Sequence, residues 1–157
     1  MRRIGITGGI GSGKSVVSRL LRIMGYSVYD TDSEAKRLME SSLEVVQKLS
    51  ECFGRDIYHN GRLNRGLLSS RVFGESDKIV LLNSIVHPVV RFDFYRWSES
   101  LNEEICFVES AILYESRFDE LVDEVWTVTA PEELIISRVR QRSGLTEEEI
   151  KKRMAAQ

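Results

Sequence analysis

The chain has 157 residues, of which 42% are hydrophobic and 29% charged, a composition typical of a soluble globular domain. Its formal net charge of −2 at pH 7 argues against a dedicated nucleic-acid-binding protein, which is normally basic. No apolar run approaches the roughly 20 residues that span a bilayer, and the basic N-terminus lacks a signal-peptide apolar segment, so we expect a cytoplasmic protein with no membrane partner. We interpret Cys52 and Cys106 as reduced structural thiols.

The first thirty or so residues have the pattern of a strand, a glycine-rich loop, a helix and a second strand. Residues 3–7 predict a short buried strand. The helix begins near Lys14 and ends at Gly25, a natural C-terminal cap. Residues 26–29 form the next strand, and such a strand–helix–strand unit favours a parallel sheet. We predict that one face of the helix is apolar and consists of Val17, Leu20, Leu21 and Met24.

The middle of the chain is mainly helical. Thr31 and Glu34 have the spacing of a capping box, so a helix begins there. A second amphipathic stretch covers residues 43–53 and closes at Gly54. These signals predict two consecutive helices directly after the second strand.

A loop and a long helical pattern follow. Residues 55–65 have loop composition, with Asn60-Gly61 as a tight turn. Residues 67–101 return to three- and four-residue apolar spacing. Because Pro88 falls inside this pattern, we expect it to kink the helix or to begin a new one.

The remainder of the chain alternates strands with helices. Residues 105–108 and 125–128 predict a third and a fourth strand, each followed by polar residues. Two helices then follow the fourth strand. The first is opened by Thr129, Pro131 and Glu132 and broken near Gly144, and the second is capped by Thr146 and Glu149. The alternation predicts an α/β fold with a doubly wound parallel sheet and a helical insertion.

The segment from Gly8 to Ser15 fits the phosphate-binding pattern of Gly, four residues and Gly-Lys-Ser, in the required strand–loop–helix setting. Its glycines let successive N–H groups converge on phosphate oxygens, at the positive end of the helix that follows. Lys14 would reach the β- and γ-phosphates of ATP, and the Ser15 hydroxyl would ligate Mg²⁺. The alternative is a glycine-rich turn with a chance Gly-Lys-Ser. The predicted ATP contacts are Gly9, Gly11, Ser12, Gly13, Lys14, Ser15 and Val16.

Polar residues lie at or just beyond the ends of the predicted strands. Thr7, Asp30 and Glu109 should share one cleft, because ligands of such folds bind at the carboxyl ends of the strands. We predict substrate contacts for Thr7, Asp30 and Asp32. Glu109 is a candidate ligand of Mg²⁺ together with Ser15, and its alternative role is to cap a turn. In Asp30-Thr31-Asp32 a carboxylate could take the proton of an acceptor hydroxyl. The alternative is that it only places a negative charge in the first turn of a helix.

Two further features bear on function. Arg138 and Arg142 are four residues apart, hence on one helical face, where they could clamp triphosphate oxygens and stabilise transition-state charge. Gly144 beyond them would permit a closing lid, and the alternative is a solvated basic face. His87 precedes Pro88 in a helical run, where a lone histidine is more often packed or exposed than functional.

These motifs together resemble bacterial dephospho-coenzyme A kinase over the whole chain. The resemblance is specific in the loop, where Thr7 precedes Gly-Gly-Ile-Gly-Ser-Gly-Lys, and in the Asp-x-Asp behind it. It also includes His87-Pro88, residues 113–115, Arg138 with Arg142, and the segment Arg153-Met154-Ala155-Ala156-Gln157. Such a protein phosphorylates the ribose 3′-hydroxyl of dephospho-coenzyme A with ATP and Mg²⁺, the last step of coenzyme A synthesis.

The resemblance implies particular roles for the matching residues. Asp32 would be the catalytic base, Lys14, Arg138 and Arg142 would complete the catalytic set, and His87 would join the substrate-binding residues. Residues 1–157 would form one kinase domain of the P-loop NTP hydrolase type. Its parts would be a core at 1–30 and 104–135, a helical acceptor-binding insertion at about 31–103, and a lid at about 136–153.

The chain departs from the family pattern in three places, one of which is Val16, where the family usually has Thr after the loop serine. Glu109-Ser110-Ala111 replaces a usual Asp-x-Pro, and family members continue past Ala-Ala-Gln into another strand and a segment near the adenine. Three alternatives stay open at this point. They are another small-molecule P-loop kinase, a switch or motor ATPase acting on a protein partner, and a protein that binds nucleotide without catalysis.

Overall fold

The computed structural model describes residues 1–155, which form two compact units. The first unit combines residues 1–30 with the chain from Leu101 onward, and the second covers Thr31–Ser100. The elements in chain order are β1 (Arg2–Thr7), α1 (Lys14–Ile23), β2 (Val28–Asp30), α2 (Thr31–Ser41), α3 (Leu43–Phe53), β3 (Tyr58–His59), β4 (Arg62–Leu63), α4 (Arg65–Val72), α5 (Ser76–Ser100), β5 (Ile105–Glu109), β6 (Glu124–Thr127), α6 (Glu132–Ser143) and α7 (Glu147–Ala155).

The first unit is built on a four-stranded parallel sheet in the order β2-β5-β1-β6. β1 is flanked by β5 on one side and β6 on the other, so strand order reverses at β1. The carboxyl end of β1 is therefore the topological switch point of the sheet. Ile4, Ile6, Leu21 and Phe107 form the buried cluster under α1. The predicted α/β fold with a parallel sheet is confirmed, and the site expected after β1 lies at its switch point.

The apolar face predicted for α1 is wrong for two of its four residues. Leu21 is buried and Val17 half-buried, but Leu20 and Met24 are 54% and 69% exposed. Ser18 takes their place in the interior, fully buried. The helix faces the sheet along the line of residues 17, 18 and 21, and spacing alone did not distinguish that line from the neighbouring one.

The second unit is helical, with α2 and α3 packed on the long helix α5. The Asn60-Gly61 turn is present, and both residues have positive φ, at 49° and 76°, as a tight hairpin requires. It joins β3 to β4, so the segment predicted as a loop contains a two-stranded antiparallel sheet. The helical pattern of 67–101 is interrupted at Gly74, whose φ is 78°, and this separates α4 from α5.

Helix ends show which capping signals the structure uses. Pro88 begins no new helix, because α5 continues through it to Ser100. The Ser42 side chain caps α3, and Gly54 ends it as predicted. Thr146 Oγ1 accepts from the Glu149 N–H, and the Glu149 carboxylate accepts from the Thr146 N–H at 2.8 Å, which completes the capping box of α7.

Two sequence interpretations need correction or completion. The N-cap of α6 is Pro131 without a side-chain cap, rather than the predicted Thr129. Cys106 is buried, but Cys52 is exposed and therefore does not serve as a packed thiol.

None of the helices within 1–155 is both long and apolar enough to cross a membrane.

Candidate active site

The loop between β1 and α1 owes its shape to glycines with positive φ. Gly8, Gly11 and Gly13 have φ values of 149°, 71° and 107°, a backbone conformation that residues with a Cβ rarely adopt. Gly13 is also the N-cap of α1, and no side chain caps the helix there. The loop itself therefore forms the N-terminal end of the helix. This is the geometry in which backbone N–H groups and the positive end of a helix bind phosphate oxygens.

Neighbouring elements press closely on two of these glycines. A Cβ on Gly8 would lie 2.2 Å from the Val128 carbonyl oxygen, and one on Gly11 would lie 2.7 Å from Val139 Cγ2. At Gly13 the nearest atom is Arg138 Nη1, at 3.6 Å. The loop is therefore held by the end of β6 and by α6, while the space beside Gly13 is large enough for a ligand atom. Gly8 was not among the predicted ATP contacts, although its place at the start of the motif was a signal.

Two cations converge on the loop. The Lys14 ammonium donates to the carbonyl oxygens of Gly8 and, at 3.2 Å, Gly9. Arg138 Nη1 donates to the Gly11 and Ser12 carbonyl oxygens, both at 3.4 Å. These contacts hold positive charge at the rim of a loop that would receive a triphosphate.

Of two further predicted site residues, Ser12 is buried in the loop, whereas Arg142 is exposed to solvent. Ser12 is 5% exposed, and its hydroxyl oxygen has no hydrogen-bond partner in the described part of the chain. Because buried hydroxyls are almost always hydrogen-bonded, an oxygen of a bound ligand is a suitable missing partner. Arg142 is exposed in the last turn of α6, and its guanidinium group makes no hydrogen bond or ion pair within residues 1–155. Of the predicted arginine pair, the structure brings only Arg138 to the loop.

The remaining predicted ATP contacts surround the start of α1. Ser15 and Val16 occupy its first turn and are exposed, Val16 to 63%. Gly9 is exposed in the loop itself. The surface that would meet the phosphates is therefore accessible at the positions where the motif predicts contacts.

The carboxyl edge of the sheet brings together the three residues predicted to share a cleft. Thr7 is buried and pairs in register with Thr127 of β6. Glu109 pairs in register with both Ile6 and Asp30, so the two acids end neighbouring strands. Within residues 1–155 no group of three or more His, Cys, Asp or Glu side chains could hold a metal. A Mg²⁺ site with Ser15 and Glu109 would therefore need oxygens of the nucleotide as well.

Two predicted site residues belong to the second unit. Asp32 is exposed in the first turn of α2, where the helix dipole favours a negative charge. His87 is half-buried in α5, and its burial lowers the pKa of the imidazole. The structure leaves the catalytic and binding roles of both residues as predictions.

A phosphate loop at the switch point of a parallel sheet, with a lysine and an arginine on it, defines a P-loop nucleotide-binding protein. The dephospho-CoA kinase family matches residues 2–157, so the chain belongs to that family. A dephospho-CoA kinase of Porphyromonas gingivalis is 45% identical over 157 residues, which are all of this chain and 78% of that protein. Ala156 and Gln157, the end of the family motif, lie outside the described residues.

Solved structures agree in fold. A crystal structure from Thermus thermophilus is 37% identical with a TM-score of 0.81, covering 99% of this chain and 80% of that one. A dephospho-CoA kinase from Campylobacter jejuni is 24% identical with a TM-score of 0.72, and the match covers 100% of this chain and 81% of the other. At this identity the similarity supports the fold alone.

Proposed function

We propose that this protein is an ATP-dependent kinase that phosphorylates the ribose 3′-hydroxyl of dephospho-coenzyme A, giving coenzyme A and ADP as the final step of coenzyme A synthesis. The observation that carries this proposal is the phosphate loop with Lys14 and Arg138 on it, in a chain that matches the family along residues 2–157. Family membership favours this acceptor over those of other P-loop kinases and over a protein-coupled ATPase.

The donor half of the reaction belongs to the loop. The N–H groups of residues 9–16 would bind the β- and γ-phosphates, and the Ser12 hydroxyl would donate to an ATP oxygen. Lys14 and Arg138 would neutralise charge that develops on the transferred group and on the leaving ADP. Arg142 would join them if α6 moves when ATP binds, as lid segments do in related chemistry.

A magnesium ion fits the donor set at the edge of the sheet. The Ser15 hydroxyl and the Glu109 carboxylate are hard oxygen ligands of the kind that Mg²⁺ prefers, and it usually keeps several waters and substrate phosphates besides. When bound, the ion would neutralise part of the phosphate charge. Glu109 ends β5 beside β1, the strand that leads into the loop, which supports this assignment.

We assign the base to Asp32, with Thr7, Asp30 and His87 as further substrate contacts. Asp32 is two residues beyond the end of β2, so chain length alone keeps its Cα within about 7 Å of the Asp30 Cα. Its carboxylate would accept the proton of the 3′-hydroxyl while that oxygen bonds to the γ-phosphorus. The bond between that phosphorus and the β–γ bridging oxygen breaks, and ADP leaves with the electron pair.

The test is an acceptor-dependence assay that measures ADP and identifies the product by mass. Dephospho-coenzyme A should support turnover, whereas coenzyme A, with its 3′-position already phosphorylated, should not. Lys14→Ala is the control and should lose both nucleotide affinity and rate. ADP formation that is indifferent to dephospho-coenzyme A, or that responds instead to shikimate or a nucleoside monophosphate, would contradict the proposal.

A further inference from the structure

A cavity of about 300 Å³ opens beside the phosphate loop, entirely within the first unit. Its walls are mainly apolar, with two threonines, a tyrosine and a carboxylate among them. The lining residues are Thr7, Gly8, Gly9, Ile10, Ala111, Tyr114, Glu115, Thr127, Ile135 and Met154. The volume is at the lower end of the range for ligand sites, enough for one ring system and its immediate substituents.

A hydrogen-bonded turn after β5 carries Tyr114 and Glu115, which line this cavity. The Phe118 N–H donates to the Leu113 carbonyl at 2.8 Å, and the Arg117 N–H donates to the Tyr114 carbonyl at 2.9 Å. Leu113 is fully buried, and its Cδ1 would lie 2.6 Å from a Cβ on Gly5, so only glycine in β1 leaves room for it. With Leu113 held inside, the next two side chains are turned outward.

These two side chains are available for a ligand. Tyr114 is 57% exposed and Glu115 is also exposed. Within residues 1–155, neither the Tyr114 hydroxyl nor the Glu115 carboxylate makes a hydrogen bond or ion pair. Met154 and Ile135, which also line the cavity, belong to the apolar cluster that joins α6 to α7 and contacts Ile10 of the loop.

The chemistry of this lining suits a purine ring. A tyrosine ring and a methionine thioether are favourable neighbours for a flat aromatic ring, and base–aromatic stacking is sequence-tolerant and strong. A carboxylate accepts hydrogen bonds only, as the exocyclic amine of adenine requires. The lining thus selects an adenine over a purine that carries a carbonyl oxygen at the same position.

The position of the cavity distinguishes between the two adenines of the reaction. In the acceptor, the reacting hydroxyl and the base belong to the same nucleoside, so the base must lie close to the γ-phosphate. In ATP, the ribose and two further phosphates separate the base from that group. A cavity lined by Gly8, Gly9 and Ile10 is adjacent to the phosphate loop itself.

We infer that this cavity receives the adenine ring of dephospho-coenzyme A, stacked on Tyr114 and opposite Met154, with Glu115 accepting from its exocyclic amine. The inference rests on the proposed function, since it assigns a subsite for that acceptor. Tyr114 and Glu115 then determine which base the acceptor carries.

The test compares dephospho-coenzyme A with its analogue that has hypoxanthine in place of adenine, at saturating ATP. The wild-type protein should prefer the adenine acceptor in kcat/KM. Glu115→Gln should reduce this preference about tenfold, because an amide N–H can donate to the 6-oxygen.

Tyr114→Ala should raise the acceptor KM about tenfold, and Tyr114→Phe should keep it near wild type because the ring remains. Asp119→Asn, in the short helix just after the turn but outside the cavity, is the matched control.

Calorimetric binding of both acceptors without ATP separates this inference from the proposed function. Binding that prefers adenine through Glu115, without phosphoryl transfer, would support the subsite and refute the kinase activity. A base preference that Glu115→Gln leaves unchanged would overturn the subsite, even if turnover is normal. A rise in the KM for ATP rather than for the acceptor in Tyr114→Ala would assign the cavity to the donor and also overturn it.

Discussion

Asp30 and Glu109 are register partners at the ends of the neighbouring parallel strands β2 and β5. Two acidic residues therefore end neighbouring strands at the edge of the sheet, next to the strand β1 that leads into the phosphate loop. Carboxylate oxygens are ligands that Mg²⁺ prefers, so an acid at this position is suited to hold the ion together with oxygens of the nucleotide. This register is the reason for proposing that Glu109 helps to hold Mg²⁺.

If Glu109 helps to hold Mg²⁺, Glu109→Gln should raise the Mg²⁺ concentration needed for half-maximal activity, by about tenfold. A neutral amide is a weaker ligand for a hard cation than a carboxylate. The measurement is a Mg²⁺ titration of activity at fixed ATP. Glu104→Gln, beyond the opposite end of β5, is the control and should leave the titration unchanged. An unaltered titration in Glu109→Gln would remove this residue from the metal site.

Asp32→Asn should lower kcat by about 10²- to 10⁴-fold while ATP binding persists, because the amide cannot accept the proton of the hydroxyl. Single-turnover rates and calorimetric ATP binding separate the two effects. Glu34→Gln, on the first turn of the same helix, is the matched control. Turnover of wild-type magnitude in Asp32→Asn would exclude Asp32 as the base.

Gly8→Ala should lower the free energy of unfolding by about 3 kcal/mol or more and abolish nucleotide binding. The new Cβ would lie 2.2 Å from a backbone carbonyl oxygen, which has no freedom to move aside. Urea denaturation measures the loss. Gly25→Ala is the matched control, since Gly25 has a φ of 93° but nothing within 4 Å of its Cβ position. It should cost only the left-handed strain, about 1–2 kcal/mol. Equal losses in the two variants would mean that crowding at Gly8 is unimportant.

Ser18→Ala should stabilise the protein by about 1 kcal/mol, which is a rise in Tm of roughly 2–4 °C for a chain of this size. Ser18 is fully buried, and its hydroxyl oxygen has no hydrogen-bond partner among residues 1–155, so the substitution removes an uncompensated polar group. Thermal unfolding gives the result. Ser143→Ala, which removes a 2.7 Å bond from an exposed hydroxyl to the Val139 carbonyl, should change stability little. A clear loss of stability in Ser18→Ala would show that the hydroxyl is satisfied.

Stability should fall as the pH decreases from about 7 toward 5, partly through His87. Its pKa is lowered in the folded protein by burial, so the unfolded chain binds more protons in the window below the ordinary pKa near 6.5. The free energy of unfolding therefore rises with pH across that window and levels off above it. Urea denaturation at several pH values should show a flatter profile for His87→Gln than for the wild type. His59→Gln, exposed in the hairpin, is the control. Parallel profiles for wild type and His87→Gln would contradict this account.

Local sequence signals predicted the parts of the fold that local chemistry controls. Helix α3 lies where the apolar spacing and Gly54 placed it, and the Thr146–Glu149 capping box forms as spaced. The signals were less reliable where a choice depended on a neighbouring element. Leu20 and Met24 have the same spacing as buried residues but are exposed, because α1 turns Ser18 toward the sheet instead.

The sequence by itself determined the phosphate loop and its family, because the glycines, Lys14 and Ser15 act through positions fixed within one short segment. Only the tertiary structure decided that Arg138 and not Arg142 reaches the loop, and that Tyr114 and Glu115 line a cavity beside Gly8. These relationships join residues far apart in the chain. They depend on strand order, register and the direction of each helix, which no local pattern of residues specifies.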